Sequence, residues 1–179
     1  MTKIAEIFKI LSEEHQNILK VVECLEKKCD LYNSGEEVNY NFVENTIDFI
    51  INYADKFHHA KEEDILFKEF QKAVDSGYTH CNPLEQMLHE HDSGRNYIRE
   101  IQEGLSEKNK SKIISGAQNY TNLIREHIFK EDNILYPMAD EALTKEVKEI
   151  ILNKFKDIDK INEDNKKKYI DFMRELQNV

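Results

Sequence analysis

Two prolines and five glycines among 179 residues are too few for an all-β chain, which needs turn residues at every reversal. Three cysteines are an odd number, and none has a partner at the two-residue spacing of a zinc or thioredoxin-like motif. Cys24 and Cys29 lie five apart, so on one helix they point to different faces and do not bridge. Reduced thiols and a cytoplasmic location are the expectation. No apolar run is long enough to cross a bilayer, and the opening MTKIAEIFKILSEEH has neither an apolar h-region nor a cleavage pattern. Neither a membrane anchor nor a signal peptide is expected. Excess positive charge is also lacking: a net charge of −10 argues against nucleic acid as a partner. The run Lys166-Lys167-Lys168, flanked by Asp164 and Asp171, reads as a solvated helix face.

Charge itself is abundant, at 34% and rich in Glu and Lys, the composition of long helices with solvated outer faces. Four apolar stripes recur at steps of three and four. The first runs from about Lys3 to Leu31 through Phe8, Leu11, His15, Ile18 and Val22, and ends at Asn33-Ser34-Gly35. The second, from about Asn39 to Val74, carries Ile47, Ile51, Ala54, His58, Glu62 and Ile65 before Ser76-Gly77. Asn82-Pro83 starts the third, which carries Met87, His91, Gly94, Ile98 and Ile101. The fourth, from about Ser111, shows Ala117, Tyr120, Ile124, His127, Glu131 and Ile134, and Pro137 is expected to kink or end it. Short connections make consecutive helices antiparallel. The fold expected is therefore all-α: an up-down-up-down four-helix bundle over residues 1–140 with one or two additional C-terminal helices over 141–179. A break near Asn162 divides that extension, which packs on the bundle or forms a dimer contact.

His15, His58, His91 and His127 each sit in an apolar seam, one per helix, and Glu62 and Glu131 share two of those seams. One seam histidine is ordinarily a core residue with a single hydrogen bond. Four of them beside two carboxylates are a different matter, because a buried unpaired carboxylate costs several kcal/mol or gives up its charge. Arg95 and Lys61 lie one step aside of the seams, and a metal pair supplies the missing positive charge directly. His58 and Glu62 are four apart, as are His127 and Glu131, which places each pair on one helix face about 6 Å apart along the axis. A single His-x-x-x-Glu pair is ordinarily a surface contact, and His59 with Glu63 is read as one.

The pattern repeats. Residues 58–67, HHAKEEDILF, align with 127–136, HIFKEDNILY, and Glu14-His15 recurs as Glu90-His91. The two helix pairs read as duplicates about a pseudo-twofold, giving two equivalent ligand sets. Two imidazoles per metal, two bridging glutamates and a solvent-derived oxo or hydroxo bridge make five ligands each and leave one position open. Imidazole and carboxylate without thiolate suit iron or manganese.

On the segments EEHQNIL, HHAKEEDILF, EHDSGR and HIFKEDNILYP the chain resembles the hemerythrin-like, or HHE cation-binding, family over most of residues 3–139. The resemblance implies two iron ions at His15, His58, Glu62, His91, His127 and Glu131, with other divalent metals admissible in recombinant protein. It also implies a small diatomic ligand (dioxygen or nitric oxide) or peroxide as the reacting partner. Binding or sensing is favoured over turnover; nitric oxide or peroxide reduction, or iron donation to an acceptor protein, are the alternatives. Oxygen-carrying members have a fifth histidine and an H-x-x-x-x-D segment in the last core helix. The H-x-x-x-E found here is closest to the four-His, two-Glu centre of the cluster-repair proteins, which carry a further cysteine-bearing N-terminal region.

Of the remaining residues, His59 is about 100° round the helix from His58 and is read as exposed or as standing behind the ligands, with lining the pocket or ligating a metal as the alternative. Its replacement by alanine is expected to leave metal content nearly unchanged, as is that of His89. His89 and His80 are read as exposed. Tyr120 either packs in the core or turns its hydroxyl toward the open metal positions. Gly94, where alanine would favour the helix by about 1 kcal/mol, leaves room for a side chain or a small ligand. Arg95 is assigned a salt bridge to an acidic neighbour.

Overall fold

The computed structural model describes residues 4–79 and 81–176, and its regular structure is entirely helical. Helix α1 is Glu6–Asn33. Helix α2 covers residues 40–75 as one continuous rod, α-helical over Tyr40–Phe49 and Phe67–Asp75 and π-helical over Ile50–His59 and Glu62–Leu66. Helix α3 is Leu84–Ser106. Helix α4 covers 110–142, with Glu131–Leu135 π-helical between Lys110–Lys130 and Tyr136–Ala142. Helices α5, Lys145–Ile161, and α6, Glu163–Leu176, follow.

Helix ends fall where the residues provide for them. Asn39, Asn109 and Thr144 accept from the backbone N–H three residues on, satisfying donors that the first turn leaves orphaned. Gly35 and Gly77 take positive φ just past α1 and α2, and there the Tyr78 N–H closes on the Ala73 carbonyl. Pro137 does not end α4, which continues through it to Ala142. Its ring would meet the carbonyl of Asn133 in an ordinary helix, and the wide turns of Glu131–Leu135 shift that carbonyl away.

Contacts between neighbouring helices run in opposite order along the chain. Asn17 meets Tyr53, Arg95 meets Asp55, Gly94 faces Tyr120, and Ser12 meets Asp132, which is the antiparallel four-helix bundle. The loop end of α3 and α4 is tight, for a Cβ on Gly104 would lie 2.9 Å from the Ile113 backbone nitrogen. Helices α5 and α6 pack against α1 and α2. The interior is two apolar clusters. One contains Val22, Leu25, Phe49, Ile98 and Tyr169; the other contains Phe8, Leu11, Phe70, Leu135 and Phe155. Between them lies a layer of buried polar groups.

Candidate metal centre

That layer is where the four seam histidines and both seam glutamates meet, all at most 2% exposed. The backbone around them departs from ordinary helix in a paired way. Phe67 N–H reaches the Glu62 carbonyl and Tyr136 N–H the Glu131 carbonyl, each five residues back. Wide turns of this kind re-aim side chains and often mark functional sites. Their positions differ by the spacing of the sequence repeat, so the pseudo-twofold extends to the backbone.

Each histidine is held from behind. Nδ1 of His15 lies 3.0 Å from Asp132, that of His58 3.0 Å from Glu14, that of His91 2.7 Å from Glu63, and that of His127 2.9 Å from Glu90. A carboxylate on Nδ1 fixes the tautomer and leaves Nε2 inward as a lone-pair donor, the usual arrangement behind metal-binding imidazoles. The partners also obey the pseudo-twofold: Asp132 stands to His15 as Glu63 to His91, and Glu14 to His58 as Glu90 to His127. Lys61 and Lys130 repeat it further out, each bonded to the second oxygen of Glu14 or Glu90.

What faces inward is unpaired. His58 Nε2, Glu62 Oε2 and both oxygens of Glu131 are buried without a hydrogen bond among the described residues. Glu131 straddles the layer, with Oε2 3.2 Å from His15 Nε2 and Oε1 3.2 Å from His127 Nε2. These contacts lack hydrogen-bond alignment; they converge on shared points, as ligand atoms do. Glu62 Oε2 is 3.6 Å from both His58 Nε2 and His91 Nε2. His91 Nε2 and His127 Nε2 are 2.9 Å apart, close to the roughly 3 Å expected for two bonds of about 2.1 Å at a right angle on one ion. Left without a cation, the two glutamates oppose each other. Burial and the Glu131 charge push Glu62 well above the usual carboxylate range, while Glu131, although burial opposes its charge, is held well below it by His127 and His15. Four orphaned buried atoms and a split carboxylate pair are what a set of cation ligands looks like, and the donors present fit metal ions.

The family model of the hemerythrin HHE cation-binding domain matches residues 6–139. The chain belongs to that family. No curated protein and no solved structure matches it. Among the described residues of this hemerythrin-like domain no helix is long and apolar enough to cross a membrane.

His59 is the main departure from expectation. It is buried, 6% exposed, rather than in a surface pair with Glu63, and it stacks on His91 with ring centroids 3.8 Å apart. It groups with His91 and His127, while His15, His58, Glu62 and Glu131 form the other group able to hold an ion. The cause is the π-helical stretch Ile50–His59, which has no counterpart in α4; more residues per turn set His58 and His59 closer in angle, and both face inward. Glu63 is not its partner but that of His91 and Arg95. Arg95 bonds Asp55, Glu63 and Asp92 rather than a central glutamate. Lys61 is fully buried, yet pairs with Glu14 and Asp159 instead of the centre. His89 is exposed, and His80 lies outside the described residues.

Sequence reasoning passed over Tyr136. Its hydroxyl donates to Glu62 Oε1 at 2.6 Å and lies 3.4 Å from His15 Nε2, with its ring stacked on His15. Phe67, at the repeat-related position, stacks on His91 without a hydroxyl. The centre is therefore asymmetric: a third imidazole on one side, a phenol on the other. The Phe/Tyr exchange within the repeat was the available signal.

The His59→Ala variant is accordingly expected to weaken metal retention on the His91/His127 side, by roughly the 10- to 100-fold typical of a lost metal-supporting group. His89→Ala should keep full metal content. Metal analysis of both after dialysis against a graded chelator checks this, and equal retention would mean that His59 does not support the metal.

Proposed function

We propose that this hemerythrin-like chain binds a pair of iron ions and uses them to bind or respond to a small oxidant: dioxygen, nitric oxide or peroxide. His15 and His58 would hold one ion, and His91 and His127, joined by His59, the other. Glu131 would bridge with one oxygen to each, and Glu62 would share its inward oxygen. The observation that carries this is the straddling Glu131, whose two buried oxygens face different histidine pairs and make no hydrogen bond among the described residues. A bound iron pair supplies two one-electron changes within one pocket. The chain contributes imidazoles oriented by carboxylates, a buried layer between two apolar clusters, and the Tyr136 hydroxyl held against Glu62 beside the less-liganded pair.

Three unpaired cysteines, Cys29 buried, Cys24 half-buried and Cys81 exposed, fit a reducing compartment such as the cytosol. A redox or iron-exchanging protein would complete the cycle.

Metal uptake should depend on pH in a definite direction. In the metal-free chain burial opposes charge on His15 and His127. Even so, Asp132 and Glu131 hold His15 up at about 9, and Glu131 and Glu90 hold His127 up at about 10. Both therefore carry protons at neutral pH that a metal must displace. Affinity is expected to rise from about pH 6 to about pH 9, with protons released into weak buffer on loading. Stability of the metal-free chain runs the other way. These two raised values stabilise it fully below about 6.5, and that contribution is lost as the pH climbs through about 9 to 10. A pH-independent affinity would contradict the assignment.

Stopped-flow mixing of the anaerobically iron-loaded protein with dioxygen, nitric oxide and peroxide tests the function. One reversible adduct supports binding or sensing, and sustained turnover supports an enzyme. Inertness to all three would refute the oxidant reading.

A further inference from the structure

The pseudo-twofold that relates the two halves of the centre fails in one more place, and there it leaves space. A cavity of about 230 Å³ lies between α2, α3 and α4. Its inner end is formed by His59, His91 and His127, and its outer end by the exposed Arg99 and Gln102, so it joins the buried centre to the surface. Between these ends the wall is mainly apolar, with Ala54, Ile98, Leu123 and Ile124.

Aligning Glu90-His91 with Glu14-His15 sets Gly94 opposite Ile18, and the other repeat sets His59 opposite Ile128. Ile18 and Ile128 are buried members of the apolar core. Space is thus kept on the side where the chain has Gly94. A Cβ there would rest 3.7 Å from the Tyr120 ring, an ordinary contact, so crowding does not require the glycine and its missing side chain adds to the space.

One polar group on the wall has no partner. Tyr120 is 2% exposed, and its hydroxyl makes no hydrogen bond among the described residues. A buried hydroxyl without a partner costs about 1–3 kcal/mol unless something else accepts from it. The charged pair on the wall, Asp55 and Arg95, is already joined at 2.7 Å and offers no free charge. The volume exceeds the roughly 150 Å³ of an engineered apolar cavity that takes up benzene, and is more than a diatomic molecule fills.

We propose that this cavity is a binding site for a small uncharged molecule, apolar over most of its surface and about one ring in size. Such a ligand carries a hydrogen-bond acceptor to which the Tyr120 hydroxyl donates. The site is defined by the cavity and Tyr120, and stands whether or not the oxidant reading of the metal pair does.

Acetophenone and ethylbenzene are matched probes, alike in shape and differing in one acceptor oxygen. They are titrated into the full-length zinc-loaded protein, where redox chemistry is silent, and followed by the methyl NMR signals of Ile98 and Ile124. Both probes are expected to shift those signals. Tyr120→Phe should weaken acetophenone up to about 10-fold and leave ethylbenzene unchanged. Leu123→Trp, at a half-buried position on the cavity wall, should weaken both by filling the space. The inference is overturned if neither probe shifts the methyls of the wild-type protein. It fails equally if Tyr120→Phe weakens both probes alike, or if Leu123→Trp leaves both unchanged.

Discussion

Replacing Glu131 by alanine is expected to leave the protein with one metal ion or none where the unaltered chain holds a pair. Among the described residues no other side chain offers separate oxygens to two histidine pairs: Oε2 stands 3.2 Å from His15 Nε2 and Oε1 3.2 Å from His127 Nε2. The substitution therefore removes a donor from both ions and the link between them, and the loss should exceed the roughly 10- to 100-fold cost of losing a group behind a ligand. Asp132→Asn, which alters only the support behind His15, sets that smaller scale. Glu62→Ala should act in the same direction as Glu131→Ala. Metal analysis after equilibrium dialysis reads all three, and full occupancy of the Glu131→Ala protein would remove the bridge from the assignment.

Substituting Lys61 by methionine should produce the largest loss of stability that spares every proposed ligand. Lys61 is fully buried, with its ammonium 2.5 Å from both Glu14 and Asp159 and 3.9 Å above the Phe57 ring. Removing one member of a buried ion pair strands the other charge and costs about 3–5 kcal/mol. For a chain of this size that is a fall in Tm of roughly 10 °C, at about 2–4 °C per kcal/mol. Lys130 is the repeat-related residue, bonded to Glu90, but a quarter of its side chain is exposed. Lys130→Met should cost less than Lys61→Met, because the partly exposed site lets water reach Glu90. The contrast measures what α5 adds, since Asp159 closes over Lys61, whereas among the described residues Lys130 pairs only with Glu90 and stays partly exposed. Equal losses for the two variants in thermal unfolding would contradict this.

Helix order, the seam histidines and both central glutamates were legible because they interrupt an apolar stripe. A polar residue at a core position needs a reason, and a three-and-four spacing shows which positions are core. The repeat added the pseudo-twofold, which the paired wide turns at Glu62 and Glu131 reproduce in the backbone. The supporting carboxylates were hidden for the opposite reason. Glu14, Glu63, Glu90 and Asp132 sit next to ligands in the chain, in sequence indistinguishable from a solvated helix flank. The burial of His59 was not legible because the ordinary helical angle was applied to a stretch whose turns are wider. The helix continues through Pro137 beside another such stretch, where an end or a kink was expected. Tyr136 differs from Phe67 by one hydroxyl, and only the folded chain shows it bonded to Glu62.

Anomalous diffraction at the iron edge, from crystals of protein loaded anaerobically with ferrous iron, tests the central claim most directly. Two peaks are expected, one on each side of the Glu131 carboxylate, the first against His15 and His58 and the second against His59, His91 and His127. A buried layer without anomalous density, or iron found only at surface carboxylates, would contradict it.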